Sequence, residues 1–331
     1  MSEVRSARRP RLTSVYALAT LLMVFALLGP QIRVTVAHND TLATAGTVFS
    51  GVFVQALPFL VLGVVLSGLI AVFVTPDRLA RWIPRRPAMA VAAAGLGGAA
   101  LPGCECGSVP VARRLFGDGP VGAAALTFML AAPAINPVVV VATVVAFPGQ
   151  PLMVCARVAA SLITAMVMGL AWSKWGRAKW ITRRLPHEHT HEGPRWRVFV
   201  EAARHDFLQA GAYLVVGGAA AALLHVLVPP AVFEHMAGQL LLGVVTMAIL
   251  AVVLSLCSEA DAFVAASLTM VPLIPRLVFL VVGPAVDVKL FAMQSGMFGR
   301  AFALRFAPAT LVVACAAATG VGLLLLGGAA Q

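Results

Sequence analysis

Cys104 and Cys106 stand either side of Glu105 in LPGCECGSVPVARRL (101–115), with Pro102, Gly103, Gly107 and Pro110 around them and Arg113 and Arg114 behind. At that spacing an open or extended backbone can aim both sulfurs at one small target. Thiolates select soft ions such as Cu(I), Zn(II) and thiophilic metalloids. Three chemistries fit these residues: a redox pair, a soft-ion site, or a binding loop or gate. A second stretch, LSLCSEADAFVA (254–265), sets Cys257 beside Glu259 and Asp261. Farther on, GPAVDVKLF holds Asp287 and Lys289, and AAPAINPVV holds Asn136 between Pro133 and Pro137. Asn136 can donate and accept hydrogen bonds. Cys155 and Cys315, alone in apolar runs, read as packing residues.

The elements around these residues belong to a membrane. The 331 residues are 60% hydrophobic and 11% charged, where an ordinary soluble domain is about 25% charged. Asp, Glu, Lys and Arg are absent from 41–76, 119–156, 207–233, 236–258 and 307–331, and each run reaches the roughly 20 residues a spanning helix needs. The expected fold is an all-α integral membrane protein of about eight (seven to ten) membrane segments. The net charge of +11 comes in short blocks between apolar runs, as cytoplasmic loops carry it, so nucleic acid is not expected as a partner. The lipid bilayer and a small-molecule substrate are, and a homo-oligomer is compatible with the sequence. Five scattered cysteines make no secreted disulfide framework. No cofactor and no resident metal are expected.

A repeat organises the chain. FVQALPFLVLG from Phe53 matches FLQAGAYLVVG from Phe207 at a shift of 154, and the register continues to Pro76 and Pro230. At 153 Cys104 falls on Cys257, and at 151 Pro133 and Asn136 fall on Pro284 and Asp287. The expected organisation is a basic N-terminus with a first helix (1–43), a first membrane repeat (44–172), a basic linker (173–206) and a second repeat (207–331). The first helix, about 12–29, is read as retained; cleavage as a signal peptide at Ala37 is the alternative. With the N-terminus cytoplasmic, 20 of the 24 Lys and Arg fall on the cytoplasmic side; Arg33, Arg157, Arg276 and Lys289 are the exceptions. The copies then start from opposite sides, which makes the repeat an inverted one.

Transporters of that kind bind near the midplane, at interrupted segments in matching positions of the two halves. The stretches around Cys104 and Cys257 are such segments, re-entrant or spanning. In the second, which has no Gly or Pro, the break is expected at Ser258, Glu259 and Asp261. Irregular backbone at that depth must be enclosed by protein or line a watery cavity. Ionisable groups there are functional candidates. Cys104, Cys106, Cys257, Asn136 and Asp287 are the candidate substrate-binding residues; Glu105, Glu259, Asp261 and Lys289 are candidates for coupling or gating. Asp287 and Lys289 can equally be a pair that neutralises itself. HEHTHE (187–192) is His-rich, as metal-binding tracts are, but lies in the linker, where nothing fixes a geometry.

CECGSVPVA, AAPAINPVVV, CSEADAFVAASL and LVVGPAVDVKLF, in this order over two halves, resemble the predicted permease family that includes the ArsP-type trivalent organoarsenical efflux permeases. The resemblance covers roughly 44–328. It implies a multi-pass permease of the cytoplasmic membrane, about eight helices, and export of trivalent methylated or aromatic arsenicals with Cys104 and Cys106 involved. Glu105 departs from the small polar residue usual between those cysteines in the family. The residues and the resemblance together lead to an expected mechanism: the arsenical is held on Cys104 and Cys106, with Cys257 as a third thiol or exchange partner, and a carboxylate takes up a proton from outside as the substrate leaves. Two rivals stay open: a permease for a soft metal ion or a sulfur-containing anion, and a membrane thiol–disulfide redox enzyme.

Overall fold

In lipid every backbone polar group must find its partner within the protein, which makes the helix the default element. The computed structural model describes residues 40–73, 84, 86–99, 105–117, 119–176, 180–181, 194–227, 240–269 and 271–327, and no strand occurs among them. By its contacts the chain divides into Met1–Thr47 and Val48–Gln331. In the first unit the described residues form the opening of one helix; all the other described residues belong to the second. The first helix at 12–29, Cys104 and the HEHTHE tract lie outside the described residues.

Twelve helices are described: α1 (Asp40–Phe73), α2 (Pro87–Gly98), α3 (Glu105–Leu115), α4 (Pro120–Ile135), α5 (Pro137–Ala146), α6 (Pro151–Trp175), α7 (Arg195–Leu227), α8 (Leu240–Leu254), α9 (Ser258–Ser267), α10 (Leu273–Ala285), α11 (Val288–Met297) and α12 (Arg300–Leu325). Proline opens α2, α4, α5 and α6, at the turn where a missing N–H costs nothing. The lengths run 34, 12, 11, 16, 10 and 25 residues in α1–α6 and 33, 15, 10, 13, 10 and 26 in α7–α12. The same series of helices occurs twice. α7 begins at Arg195, inside the stretch that the sequence assigns to a linker.

Among the described residues, five segments are long and apolar enough to cross a membrane: Leu42–Leu69, Pro120–Ala146, Pro151–Trp175, Leu273–Met297 and Arg300–Leu325. The second joins α4 to α5 and the fourth joins α10 to α11. α2 and α8 are apolar but short; at 1.5 Å per residue they reach about 18 and 22 Å, less than the roughly 30 Å of hydrocarbon.

Contacts fix the directions of these helices. Gly95 packs on Thr127 and Gly98 on Ala131, so α2 runs with α4. The Ser108 hydroxyl donates to the Met129 carbonyl (3.1 Å) and Gly122 packs on Phe116, so α3 runs against α4. α2 and α3 therefore point in opposite directions. The second set repeats this. Gly243 packs on Pro275, and the Val288 N–H donates to Ser255 Oγ (3.2 Å), which lays α8 along α10 and α11. Asp261 lies on Gly283 and Arg276 donates to the Thr269 carbonyl (2.8 Å), which lays α9 against α10.

The break in the second set lies three residues before the expected position. α8 ends at Leu254, Ser255–Cys257 is irregular, and Ser258 already begins α9. Ser255 makes the turn at φ 48°, a left-handed conformation that costs a non-glycine residue roughly 1–2 kcal/mol. Its hydroxyl offsets part of that cost, donating to the Val252 carbonyl (2.9 Å) and accepting from Val288. Glu259 and Asp261 then fall in the first turn of α9, where the helix dipole favours acidic groups.

α6 and α12 run antiparallel, Trp172 meeting Phe302 (5.5 Å between ring centres). Phe116 lies 6.0 Å from both Trp172 and Phe298. The ends of α3, α6 and α11 and the start of α12 thus gather at one end of the bundle, with Arg113, Arg114, Lys174, Arg300 and Arg305.

Candidate functional site

The interrupted segments of the two sets meet in the interior. Glu105 opens α3 and Ser258 opens α9, and these residues, matched at a shift of 153, touch: Ser258 Oγ donates to Glu105 Oε2 at 3.4 Å. Lys289 of α11 donates to the other oxygen, Oε1, at 2.5 Å. Its Nζ is also 3.5 Å from Asp287 Oδ2 and 3.4 Å from the Ser255 carbonyl. Glu105, Ser258, Asp287 and Lys289 are all buried. The expected pair of Asp287 with Lys289 is therefore a triad, and its nearer carboxylate comes from the other half of the chain. Charges so deep persist only when paired and hydrogen-bonded.

Backbone packing holds Lys289 in place. A Cβ at Gly217 of α7 would come within 2.7 Å of Lys289 Cα, so only glycine lets α7 approach α11 so closely. The position matched to Lys289 in the first set is Val138, which is 45% exposed. The lysine belongs to one half only.

Beside this triad lies a second charged group. Arg157 of α6 is buried and donates to Thr143 Oγ1 of α5 (2.6 Å) and to the Ser258 carbonyl of α9 (2.7 Å). Asp261 and Glu259 sit within its electrostatic reach. Among the described residues, Oδ2 of Asp261 has no hydrogen-bond partner. Arg157 is absent from the candidates that the motifs supply, although it is one of the four cations on the wrong side by the charge rule. That anomaly is the signal in the sequence, since a cation retained at membrane depth is there for a partner. Among the described residues this interior region brings together four carboxylates (Glu105, Glu259, Asp261, Asp287) and two cations (Arg157, Lys289).

Asn136 and Asp287, matched at 151, play the same local role. Asn136 Oδ1 accepts from the Val139 N–H (3.0 Å), and Asp287 Oδ1 accepts from the Leu290 N–H. Each caps the helix that follows a break, three residues on. Asn136 also donates to the Ala132 carbonyl (3.0 Å). Asn136→Ala is expected to cost about 1 kcal/mol of stability, the usual worth of an N-cap, read as a lowered thermal midpoint of the purified protein.

Cys106 is fully buried on α3, and Cys257 is buried at the N-cap of α9. Both lie within electrostatic reach of Lys289. In sequence Cys106 follows Glu105 and Cys257 precedes Ser258, so each half carries one thiol next to a residue of the contact.

At the basic end a further network ties the halves together. Arg114 pairs with Asp206 of α7 (2.9 Å), which also accepts from Ser67 of α1 (2.6 Å). Arg113 donates to Gln209 Oε1 (2.5 Å), and Gln209 donates to the Gly296 carbonyl (3.1 Å). Asp206, the last residue of the stretch that the sequence assigns to a linker, lies inside α7 and is buried there.

Residues 41–323 match the model of the ArsP_1 family, described as predicted permease. A Streptococcus mutans protein named as a candidate subunit of a two-component membrane permease complex is 32% identical over 266 residues, 78% of this chain and 88% of its own. The UPF0718 protein YcgR of Bacillus subtilis is 33% identical over 264 residues, 77% of this chain and 89% of its own. No solved structure matches the chain.

Proposed function

The chain belongs to this predicted permease family, and from that membership we propose that it is a multi-pass permease of the cytoplasmic membrane, not an enzyme, exporting a small thiophilic solute such as a trivalent organoarsenical by proton-coupled alternating access. The observation that carries the reading is the meeting of the interrupted segments of both halves at one buried polar group, Glu105 with Ser258 and Lys289. Substrate sites of inverted-repeat transporters lie at such a place.

Three features support the inverted repeat. The helix series occurs twice, α6 and α12 run antiparallel, and Asn136 and Asp287 make the same cap. The opposed arms α2–α3 and α8–α9 support re-entrant hairpins, one per half, with α2 and α8 too short to cross. The gathering of Arg113, Arg114, Lys174, Arg300 and Arg305 supports a cytoplasmic assignment for that end. Cys106 and Cys257 bring thiols to the borders of the site, and Cys104 joins them in the proposal from its place in the motif. The name of the Streptococcus relative makes a second, different subunit a partner to seek by co-purification, beside a homo-oligomer.

The test is methylarsenite uptake into everted vesicles. The unsubstituted protein is expected to accumulate it, and Cys104→Ser and Cys106→Ser each to lower the rate on the order of tenfold or more, about 1.4 kcal/mol of lost binding. Undiminished uptake in both variants would remove the thiols from the site and turn the search to other solutes.

A further inference from the structure

We infer that Asp261 is the proton-binding group of this permease, alternating between a neutral acid that donates to the Leu280 carbonyl and a carboxylate that faces Arg157. The inference rests on the permease reading above and adds to it the group that carries the proton.

Two prolines create the need for that proton. Pro133 in α4 and Pro284 in α10 are matched at a shift of 151. A proline inside a helix has no N–H, so the carbonyl four residues before it loses its helical donor. Those carbonyls belong to Met129 and Leu280. In the first half the orphan is satisfied, because Ser108 Oγ donates to the Met129 carbonyl at 3.1 Å. The residue matched to Ser108 at 153 is Asp261, and it occupies the equivalent place: a Cβ on Gly283, next to Pro284, would collide with Asp261 Oδ2. Asp261 is buried, and Oδ2 has no hydrogen-bond partner among the described residues. A carboxylate cannot donate to a carbonyl, but a carboxylic acid can. One added proton lets Asp261 do for Leu280 what Ser108 does for Met129.

Groups from every side bear on that proton. Arg157 of α6 and Lys289 of α11 are the cations that face Asp261; Glu105 of α3 and Asp287 before α11 are the like charges, with Glu259 on its own helix. With two cations among four carboxylates, one neutral acid reduces the excess negative charge. The step balances simply. Water on one side delivers a proton, an O–H bond forms at Oδ2, and the same proton later leaves to water on the other side. Arg157 links this site to the triad, since it also holds the Ser258 carbonyl, and Ser258 touches Glu105. Loss of the proton draws Asp261 toward Arg157, so the change reaches the contact between the halves.

The test uses the full chain, purified and reconstituted, followed by infrared difference spectroscopy through a pH titration. A carboxylic acid C=O band is expected to vanish as pH rises in the unsubstituted protein and to be absent from Asp261→Asn. Should Asp261→Asn fail to fold, Asp261→Ser, which copies the first half, serves instead. Pro284→Ala restores an N–H for the Leu280 carbonyl and is expected to move the band's midpoint to lower pH. A band that survives both Asp261 variants, or a midpoint untouched by Pro284→Ala, overturns the assignment. Methylarsenite flux in the same vesicles separates this from the solute reading. With methylarsenite carried, Asp261→Asn is expected to abolish its stimulation by a pH gradient. Stimulation persisting in Asp261→Asn also overturns the proposal. A titrating band that depends on Asp261, without methylarsenite transport, retains the proton site and discards the solute.

Discussion

Lys289→Met is expected to destabilise the protein by about 3–5 kcal/mol, the usual cost of removing one partner of a buried ion pair. The lysine is fully buried, 2.5 Å from Glu105 and 3.5 Å from Asp287. Without it two carboxylates remain at membrane depth with no neighbouring ammonium. Glu105→Gln combined with Lys289→Met is expected to regain most of the loss, because it removes the pair and leaves the Asp287 cap in place. Thermal unfolding of the purified variants in a lipid-like detergent gives the comparison. Transport separates stability from function: the double variant is expected to fold yet carry solute at least tenfold more slowly, about 1.4 kcal/mol, since the halves would lack their charged contact. Equal thermal midpoints for Lys289→Met and the unsubstituted protein would show the pair idle.

The second large effect is expected from a single methyl group. Gly217→Ala places a Cβ 2.7 Å from Lys289 Cα and 3.1 Å from both the Lys289 carbonyl oxygen and Ala292 Cβ. Two of these three atoms are backbone, so no rotamer change relieves the overlap, and α11 must withdraw from α7. Overpacking of this kind costs about 1–3 kcal/mol, and here it displaces the residue that holds Glu105. Gly211→Ala on the same helix is the control. Its nearest neighbour would be Leu60 Cδ2 at 3.9 Å, and the change is expected to be neutral or to stabilise by up to about 1 kcal/mol through helix propensity. A lowered thermal midpoint and slowed transport in Gly217→Ala alone would assign the effect to the α7–α11 approach.

How far the sequence leads depends on the range of the interaction. The helical membrane class follows from uncharged runs, a local property. The doubled series follows from glycine and proline register, and Gly217 proves to mark a backbone contact. Asn136 and Asp287, which cap their own helices, are visible through the motifs around them, but their cap geometry requires the break to be located. The role of Glu105 is illegible in sequence because its partner Lys289 lies 184 residues away. The turn at Ser255 escapes a reading by composition, which flags glycine and proline, whereas here a serine adopts positive φ and bonds its own surroundings. Arg157 stands out in the sequence only as a charge in the wrong place.

Lys289 has a further consequence through its counterpart, Val138. In a carrier made of two inverted, identical halves, exchanging the shapes of the halves turns one facing conformation into the other, and the two have equal energy. A buried lysine at one position and a half-exposed valine at the matching one remove that degeneracy. On the proton-coupled alternating-access reading proposed above, the empty carrier has a preferred resting face, and solute and proton act by differential affinity on an equilibrium that is already tilted.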